Sequence, residues 1–246
     1  MSLAIVSAMR EELCALLPLL AEARVERCAG RDFHIGRVAG QEAVLVLSGI
    51  GKVAAAATAA LAIDRFGARS LLFTGVAGGL GTGVGVGDVV VADALLQHDL
   101  DASPLFPRYE VPLTGRSRFA SDPPRRRLLE QAAREVLQAP HPALAGFGLA
   151  RTAVHTGLVV SGDRFVSSAA ESAALRTALP EALAVEMEGA ATAQVCADFG
   201  IPLAVLRTVS DRADDTAHLD FPRFVAEVAA EFTRDIVRAA LVRGLA

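Results

Sequence analysis

This chain of 246 residues contains few cysteines, no large excess of charge of one sign and no long hydrophobic run. Its three cysteines, Cys14, Cys28 and Cys196, are scattered and odd in number, without CxxC spacing. They therefore predict neither a disulfide framework nor a zinc site. The net charge of −4 argues against a nucleic-acid surface, which needs a basic stripe. We expect no metal and no nucleic-acid partner.

The sequence also contains no hydrophobic run that predicts a membrane-spanning segment. The longest uncharged hydrophobic run, Val53 to Ile63, is mostly alanine and far too short to span a bilayer. The first residues, MSLAIVSAMREEL, reach Glu11 after a short apolar run, which is wrongly flanked for a signal peptide. We expect no membrane partner and a cytoplasmic location.

The composition itself is that of a globular protein. Hydrophobic residues make up 52% of the chain and charged residues 21%, which argues against disorder. A chain of this length buries a substantial core. No repeat, low-complexity tract or linker interrupts it, so we predict one domain over residues 1–246.

Apolar runs alternate with helical patterns, which is typical of an α/β fold. Strands are predicted at Leu3–Ala8, Phe33–Val38, Glu42–Leu47, Ser70–Thr74, Asp88–Asp93, Thr152–Val160, Ala182–Val185 and Ile201–Val209. Helices are predicted at Glu11–Leu20, 52–66, Pro123–Val136, Ala190–Phe199 and Phe221–Leu245, with a proline-rich loop over Gln97–Arg118.

Polar side chains collect at the ends of two predicted strands in the last third of the chain. Glu186 and Glu188 follow the first strand, and Arg207, Ser210 and Asp211 belong to the second or follow it. A helix joins the two strands, and ligands bind at the carboxyl ends of strands in open α/β sheets. Three acids and an arginine at that edge predict a site. A helix cap is the alternative interpretation for one of the two glutamates.

Two glycine motifs invite a ligand interpretation. Gly49-x-Gly51-x-x-Ala54 follows a strand and begins a helix, as in the dinucleotide fingerprint. The next strand ends in Thr74-Gly75-Val76, without the acid that would bind the ribose, so a nicotinamide cofactor is not expected. The turn predicted at Thr74–Gly79 lets backbone approach a ligand closely, because glycine has no side chain.

Two further polar motifs have simpler explanations. His98-Asp99 and Asp101 suggest a metal pair, but no second histidine lies nearby and polar loop packing is the preferred interpretation. Ser161 lacks the G-x-S-x-G elbow of a serine hydrolase.

Several short motifs occur in an order that is more specific than any one of them. They are Ala8–Glu12, Ser48–Ala54, Thr74–Gly79, Val86–Val90, His98-Asp99, Ser161–Phe165, Val185–Glu188 and Ser210-Asp211. This set resembles the purine nucleoside phosphorylase and hydrolase superfamily, and within it the nucleosidases of 5′-methylthioadenosine and S-adenosylhomocysteine. The resemblance covers nearly the whole chain.

The resemblance implies a three-layer α/β/α sandwich around a central mixed, twisted sheet, a homodimer and no cofactor. It implies hydrolysis of the N-glycosidic bond of a small nucleoside, releasing adenine and a thioribose. The alternatives are a phosphorylase, a hydrolase of another purine nucleoside such as futalosine, and a non-catalytic nucleoside sensor.

Residue roles follow from the same resemblance. Glu12 matches the acid that activates the attacking water, and Asp211 matches the acid that protonates the adenine leaving group. A positioned acid is needed because an adenine anion leaves poorly. The substrate-binding positions that match are Phe165 on the base, Met187 and Glu188 on the ribose, and Val76, Ala77, Gly78, Glu186, Arg207 and Ser210 around them. Val76 stands where the resembled nucleosidases often carry a serine.

A proline-rich loop suggests how two copies of the chain meet. Ala102–Leu113 contains the apolar side chains Leu105, Phe106 and Val111 among prolines that prevent a regular core element. Exposed apolar patches often mark interfaces. In the resembled family the matching loop reaches across a dimer to the pocket for the 5′ thio group, so we predict a homodimer with shared sites.

Overall fold

The computed structural model describes residues 2–139, 141–149, 151–213 and 221–245. Its strands are β1 (Ser2–Ser7), β2 (Ala21–Cys28), β3 (Arg31–Val38), β4 (Gln41–Leu47), β5 (Ala68–Gly79), β6 (Val89–Gln97), β7 (Phe119–Ala120), β8 (Val154–Ser161), β9 (Ala182–Glu186) and β10 (Leu203–Asp211). Its helices are α1 (Arg10–Leu16), α2 (Lys52–Asp64), α3 (Pro123–Val136), α4 (Pro142–Ala145), α5 (Ala169–Ala178), α6 (Gly189–Phe199), α7 (Phe221–Phe224) and α8 (Ala230–Val242).

The strands form one mixed sheet of ten strands, in the order β10-β6-β8-β9-β5-β1-β4-β3-β2, with β7 added beside β6. Strand β5 is parallel to β1 and to β10, and antiparallel to β9. Strand β10 pairs with both β5 and β6, so this half of the sheet curls back on itself. The carboxyl ends of β1, β5 and β10 consequently meet at one edge.

Helices cover both faces of the sheet. On one face α2 and α6 present mostly alanines to the core, including Ala55, Ala59 and Ala190, and small side chains let helices pack close to the sheet. On the other face α1, α3 and α8 bury larger side chains such as Leu16 and Phe232. The predicted three-layer α/β/α sandwich around a mixed sheet is confirmed. Within the described ranges no helix is long and apolar enough to cross a membrane.

Local capping residues define one end each of α3 and α6. Asp122 caps α3, because its side chain accepts a hydrogen bond from the N–H of Arg125 at 3.0 Å. Gly200 ends α6 in the left-handed conformation, with a φ of 67°. Both helices lie close to their predicted bounds.

The prediction of a turn at Thr74–Gly79 is wrong, because these residues continue β5. Their backbone pairs with β10, where Arg207 lies opposite Gly75, and with β9, where Val185 lies opposite Gly78. The guanidinium of Arg207 occupies the space that a Cβ on Gly75 would need. The glycines therefore serve close packing inside the sheet, and turn chemistry is not their role here.

Other differences have local causes. The predicted helix over Glu11–Leu20 ends at Leu16 and becomes a 3₁₀ turn at Leu17–Leu19, because Pro18 has no N–H to donate. Strand β2 was not predicted, since almost all of its residues are exposed and it carries no apolar pattern. The closing helix is interrupted by a π-helical segment at Val225–Ala229.

Helix α5 was not predicted either. Its N-terminus is capped by Ser168, whose hydroxyl accepts from the N–H of Glu171 at 3.3 Å. Ser172 is the one buried residue of α5. The sequence of the helix therefore shows no apolar stripe from which it could be predicted. The helix lies beside the ends of β8 and β9 and contributes Leu175 to the apolar cluster there.

Candidate active site

A cavity of about 310 Å³ opens at the edge where β1, β5, β9 and β10 end. It is lined by Ala8, Met9, Ile50, Val76, Ala77, Gly78, Arg164, Phe165, Val166, Val185, Glu186, Met187, Glu188, Ser210, Asp211 and Phe221. Most of the residues predicted from the sequence thus surround one space. The motifs at 76–78, 165, 186–188 and 210–211 come from four separate parts of the chain.

Asp211 is the last residue of β10 and its carboxylate is held on both oxygens. Ser210 Oγ donates to Oδ2 at 2.8 Å, and the N–H of Ala213 donates to Oδ1 at 2.7 Å. A Cβ on Gly78 would crowd this carboxylate, because it would lie 3.0 Å from Oδ1. The carboxyl group is fixed at the wall of the cavity.

Glu12 lies in the first turn of α1 and is fully buried. Its Oε2 accepts from the N–H of Met9 at 3.2 Å, and Met9 lines the cavity. Its Oε1 has no hydrogen-bond partner among the described residues. Burial raises the pKa of Glu12 to about 7, although the charge of Arg207 acts in the opposite direction. A carboxyl with a pKa near neutrality suits a general base.

Arg207 is the largest fully buried side chain near the site. It forms an ion pair with Glu186, lies 3.9 Å from a carboxylate oxygen of Glu188, and stacks on the ring of Phe73 at 4.5 Å from its centroid. Its Nε and Nη1 have no partner within the described ranges. These two nitrogens are therefore available as donors, although Arg207 is not itself one of the residues that line the cavity.

Glu186 acts mainly as an anchor. Its carboxylate accepts from the N–H groups of Glu188 and Gly189, which begin α6, and from the hydroxyl of Ser161 and the guanidinium of Arg207. The interpretation of one glutamate as a helix cap therefore fits Glu186. Ser161 is not the nucleophile of a serine hydrolase elbow. Its hydrogen bond to Glu186 explains why it is buried at this point.

Glu188 reaches a different part of the chain. Its Oε1 accepts from the N–H of Gly51 at 2.9 Å, and Lys52 donates its N–H to Asp163 at 2.7 Å. The amides that begin α2 are therefore bound to carboxylates of the same chain, which leaves no room for a dinucleotide pyrophosphate. Burial, followed by the neighbouring charge of Glu186, raises the pKa of Glu188.

The His98-Asp99 motif serves loop packing, as preferred. Asp99 forms an ion pair with Lys52 at 2.6 Å and accepts from the N–H of Asp163 at 2.8 Å. No group of residues in the described part of the chain has the composition of a metal site.

The apolar wall combines Phe165, which the sequence predicted, with Met9, Ile50 and Phe221, to which the sequence assigned no role. Phe165 is 46% exposed and meets Phe221 edge to face, with ring centroids 6.1 Å apart. Ile50 is 60% exposed between two glycines, and Met9 lies beside the start of α1. An exposed large apolar side chain in a glycine loop is a signal that points to Ile50. Nothing local in the sequence points to Phe221.

Comparison with known proteins fits this geometry. The family model described as the phosphorylase superfamily matches residues 2–242. The chain belongs to the phosphorylase superfamily. Within that superfamily it is 35% identical over 243 residues to the 5′-methylthioadenosine/S-adenosylhomocysteine nucleosidase of Mycobacterium tuberculosis, covering 95% of this chain and 94% of that one. It is 36% identical to the nucleosidase of the same name from Geobacillus thermodenitrificans, covering 98% and 96%.

Solved structures give the same picture for this superfamily member. The nucleosidase of Neisseria meningitidis in complex with methylthio-immucillin-A matches with a TM-score of 0.88 and 37% identity, covering 98% of each chain. Futalosine hydrolase of Helicobacter pylori matches with a TM-score of 0.85 and 31% identity, covering 98% and 97%. The superfamily thus includes neighbours with two different nucleoside substrates.

Proposed function

We propose that this protein is an N-glycosyl hydrolase that cleaves 5′-methylthioadenosine and S-adenosylhomocysteine, releasing adenine and the thioribose. Relatives with that name match it over nearly their whole length, and a neighbour binds methylthio-immucillin-A in the same fold. The observation that carries the proposal is the buried Glu12 carboxyl beside a cavity that Asp211 also lines. Its pKa is about 7, and one of its oxygens has no hydrogen-bond partner among the described residues.

In the proposed reaction the bond between C1′ and N9 breaks and its electron pair goes to adenine. Asp211 donates a proton to N7 of the leaving base, which avoids an adenine anion. The ribose becomes an oxocarbenium ion, as in other glycoside hydrolyses. Water adds its oxygen to C1′ and transfers a proton to Glu12. Arg207, two of whose nitrogens have no partner in the described part of the chain, is near enough to Glu12 to lower its pKa, and it orients that water.

Binding of the substrate uses the remaining wall. The carboxylate of Glu188 is proposed to accept hydrogen bonds from ribose hydroxyls, and Met187 to pack on the sugar. The exposed ring of Phe165 is proposed to stack on adenine. The apolar side chains of Ile50 and Phe221 suit the thioether sulfur that both proposed substrates carry at C5′.

Hydrolysis is favoured over phosphorolysis by the charge near the expected nucleophile. Glu12 is ionised above a pH of about 7, and a carboxylate repels phosphate but accepts a proton from water. A sensor without catalysis has no need for both a base and an acid at one cavity. Futalosine hydrolysis breaks the same kind of N-glycosidic bond, in a nucleoside that differs from methylthioadenosine in both its base and its 5′ group.

We also propose a cytoplasmic homodimer. Leu105 and Leu113 of the loop predicted to reach a second copy are 85% and 91% exposed, and large exposed apolar side chains favour an interface. The three cysteines are free, which fits a reducing compartment.

The test is an incubation with methylthioadenosine, adenosylhomocysteine, adenosine, inosine and futalosine, with and without phosphate. Release of adenine and free thioribose in phosphate-free buffer is the expected result. A sugar 1-phosphate formed only with phosphate would identify a phosphorylase. Preferred cleavage of futalosine would replace the proposed substrates.

A further inference from the structure

Ala213 has an unusual backbone next to the proposed catalytic acid. It lies two residues after Asp211, and its φ of 50° is in the left-handed region, where residues with a Cβ are uncommon. It is fully buried. Its N–H is the donor to Asp211 Oδ1, so the orientation of the carboxylate depends on the conformation of Ala213.

Helix α5 holds this residue in place. The hydroxyl of Ser172, which is fully buried, donates a hydrogen bond to the carbonyl oxygen of Ala213. The methyl group of Ala213 belongs to the apolar cluster with Val166 and Leu179. On a further side, a Cβ on Gly78 would lie 2.8 Å from the Cβ of Ala213. Contacts on several sides maintain a conformation that the backbone alone disfavours.

We propose that Ser172 is a positioning residue, which orients Asp211 through the peptide units of Ala213. This inference rests on the proposed role of Asp211 as the acid that protonates the leaving base. Without the Ser172 hydroxyl, the buried carbonyl of Ala213 loses its partner and the backbone relaxes toward negative φ. That rotation turns the N–H of Ala213 away from Asp211 Oδ1. The carboxyl group then keeps the hydrogen bond from Ser210 to Oδ2 but loses the donor that fixes its rotation at Oδ1.

The test compares two substrates of the full chain. Methylthioadenosine needs a protonated leaving group, whereas the 4-nitrophenyl glycoside of 5-methylthioribose releases a stable phenolate without one. Ser172→Ala should lower kcat for methylthioadenosine by about 10–10²-fold, the scale of a misplaced catalytic group. Its KM for methylthioadenosine and its kcat for the nitrophenyl glycoside should stay close to those of the unsubstituted protein.

Ser70→Ala is the matched control. Ser70 is a buried serine of β5 whose hydroxyl has no hydrogen-bond partner in the described part of the chain, so its removal should affect neither substrate. Ser172→Cys has nearly the volume of serine and a weaker donor. It keeps the test valid if Ser172→Ala does not fold, and it should give a smaller loss that is again restricted to methylthioadenosine.

Asp211→Asn tests the role of Asp211 as the acid separately from the positioning role of Ser172. It should lose turnover of methylthioadenosine and keep that of the nitrophenyl glycoside. Normal turnover of both would overturn the proposed acid itself. If Asp211→Asn behaves as expected but the Ser172 variants match Ser70→Ala, or lose both substrates equally, the positioning role of Ser172 is refuted.

Discussion

Replacing Glu12 by glutamine should make the folded protein more stable in alkaline solution while it abolishes most of the activity. Glu12 is fully buried and its pKa rises from 4.5 to about 7 on folding, mainly because burial disfavours the charged form. The unfolded chain therefore loses this proton at lower pH than the folded chain. The stability contributed by the protonated carboxyl is complete below a pH of about 4.5 and is lost as pH rises through about 7.

The magnitude follows from the same two values. They differ by about 2.5, and each pKa unit corresponds to about 1.36 kcal/mol. Ionisation of Glu12 in the folded state thus costs about 3 kcal/mol above neutral pH. Glutamine resembles the protonated carboxyl and does not titrate. Its side-chain oxygen keeps the hydrogen bond from the N–H of Met9, so the substitution is otherwise conservative.

The assay is urea unfolding of both proteins at about pH 5 and about pH 8.5, with the free energy of unfolding extrapolated to water. Glu12→Gln should gain about 3 kcal/mol over the unsubstituted protein at the higher pH and much less at the lower. Glu42→Gln, an exposed position, controls for the change in net charge. An equal difference at both pH values, or a loss of stability at the higher one, would refute the reasoning.

Activity gives an independent arm of the same prediction. As a general base Glu12 must be ionised, so kcat/KM should fall as pH decreases through about 7. Glu12→Gln should lower turnover by about 10²–10⁴-fold, the usual cost of a lost acid–base group. A flat profile from pH 6 to 8, which brackets a pKa of about 7, would remove Glu12 from the role of base.

Two further predictions concern the wall of the cavity and the proposed dimer. Phe165→Ala should weaken binding of adenine by about 1–3 kcal/mol, the scale of base–aromatic stacking, as measured by calorimetry; unchanged affinity with reduced stability would indicate a packing role instead. Phe106→Asp should weaken both self-association and affinity for methylthioadenosine, while binding of free adenine changes less. Leu105→Asp, at a more exposed position of the same loop, should weaken the same two properties without loss of the monomer fold. Sedimentation that shows a fully active monomer would defeat the shared site.

Much of the fold was determined locally. The alternation of apolar runs with helical patterns predicts the α/β class, and signals such as Asp122 before α3 and Gly200 after α6 set helix ends within a residue or two. These effects depend on neighbours along the chain, which the sequence displays directly. The exposed strand β2 and helix α5 were missed because their residues carry no strong apolar period, and pairing or docking with distant segments stabilises them.

The candidate site also has some features that the sequence determines and others that depend on the tertiary structure. The sequence by itself determined which residue types stand at the ends of the strands, from Glu186 and Glu188 to Ser210 and Asp211, since strand ends are local features. Only the tertiary structure decided that Gly75 makes room for the side chain of Arg207, because parallel pairing of β5 with β10 places them opposite each other.

The roles of individual carboxylates were likewise decided in three dimensions. Glu12, Glu186 and Glu188 are the same residue type in the sequence, yet Glu186 binds the start of α6 and Glu188 binds Gly51. Glu12 is buried and keeps one oxygen without a partner among the residues that the structure describes. Burial and partner atoms set the protonation of a carboxyl group, and both come from segments far away in the chain. Sequence therefore specified the acids, and packing gave each of them a different environment.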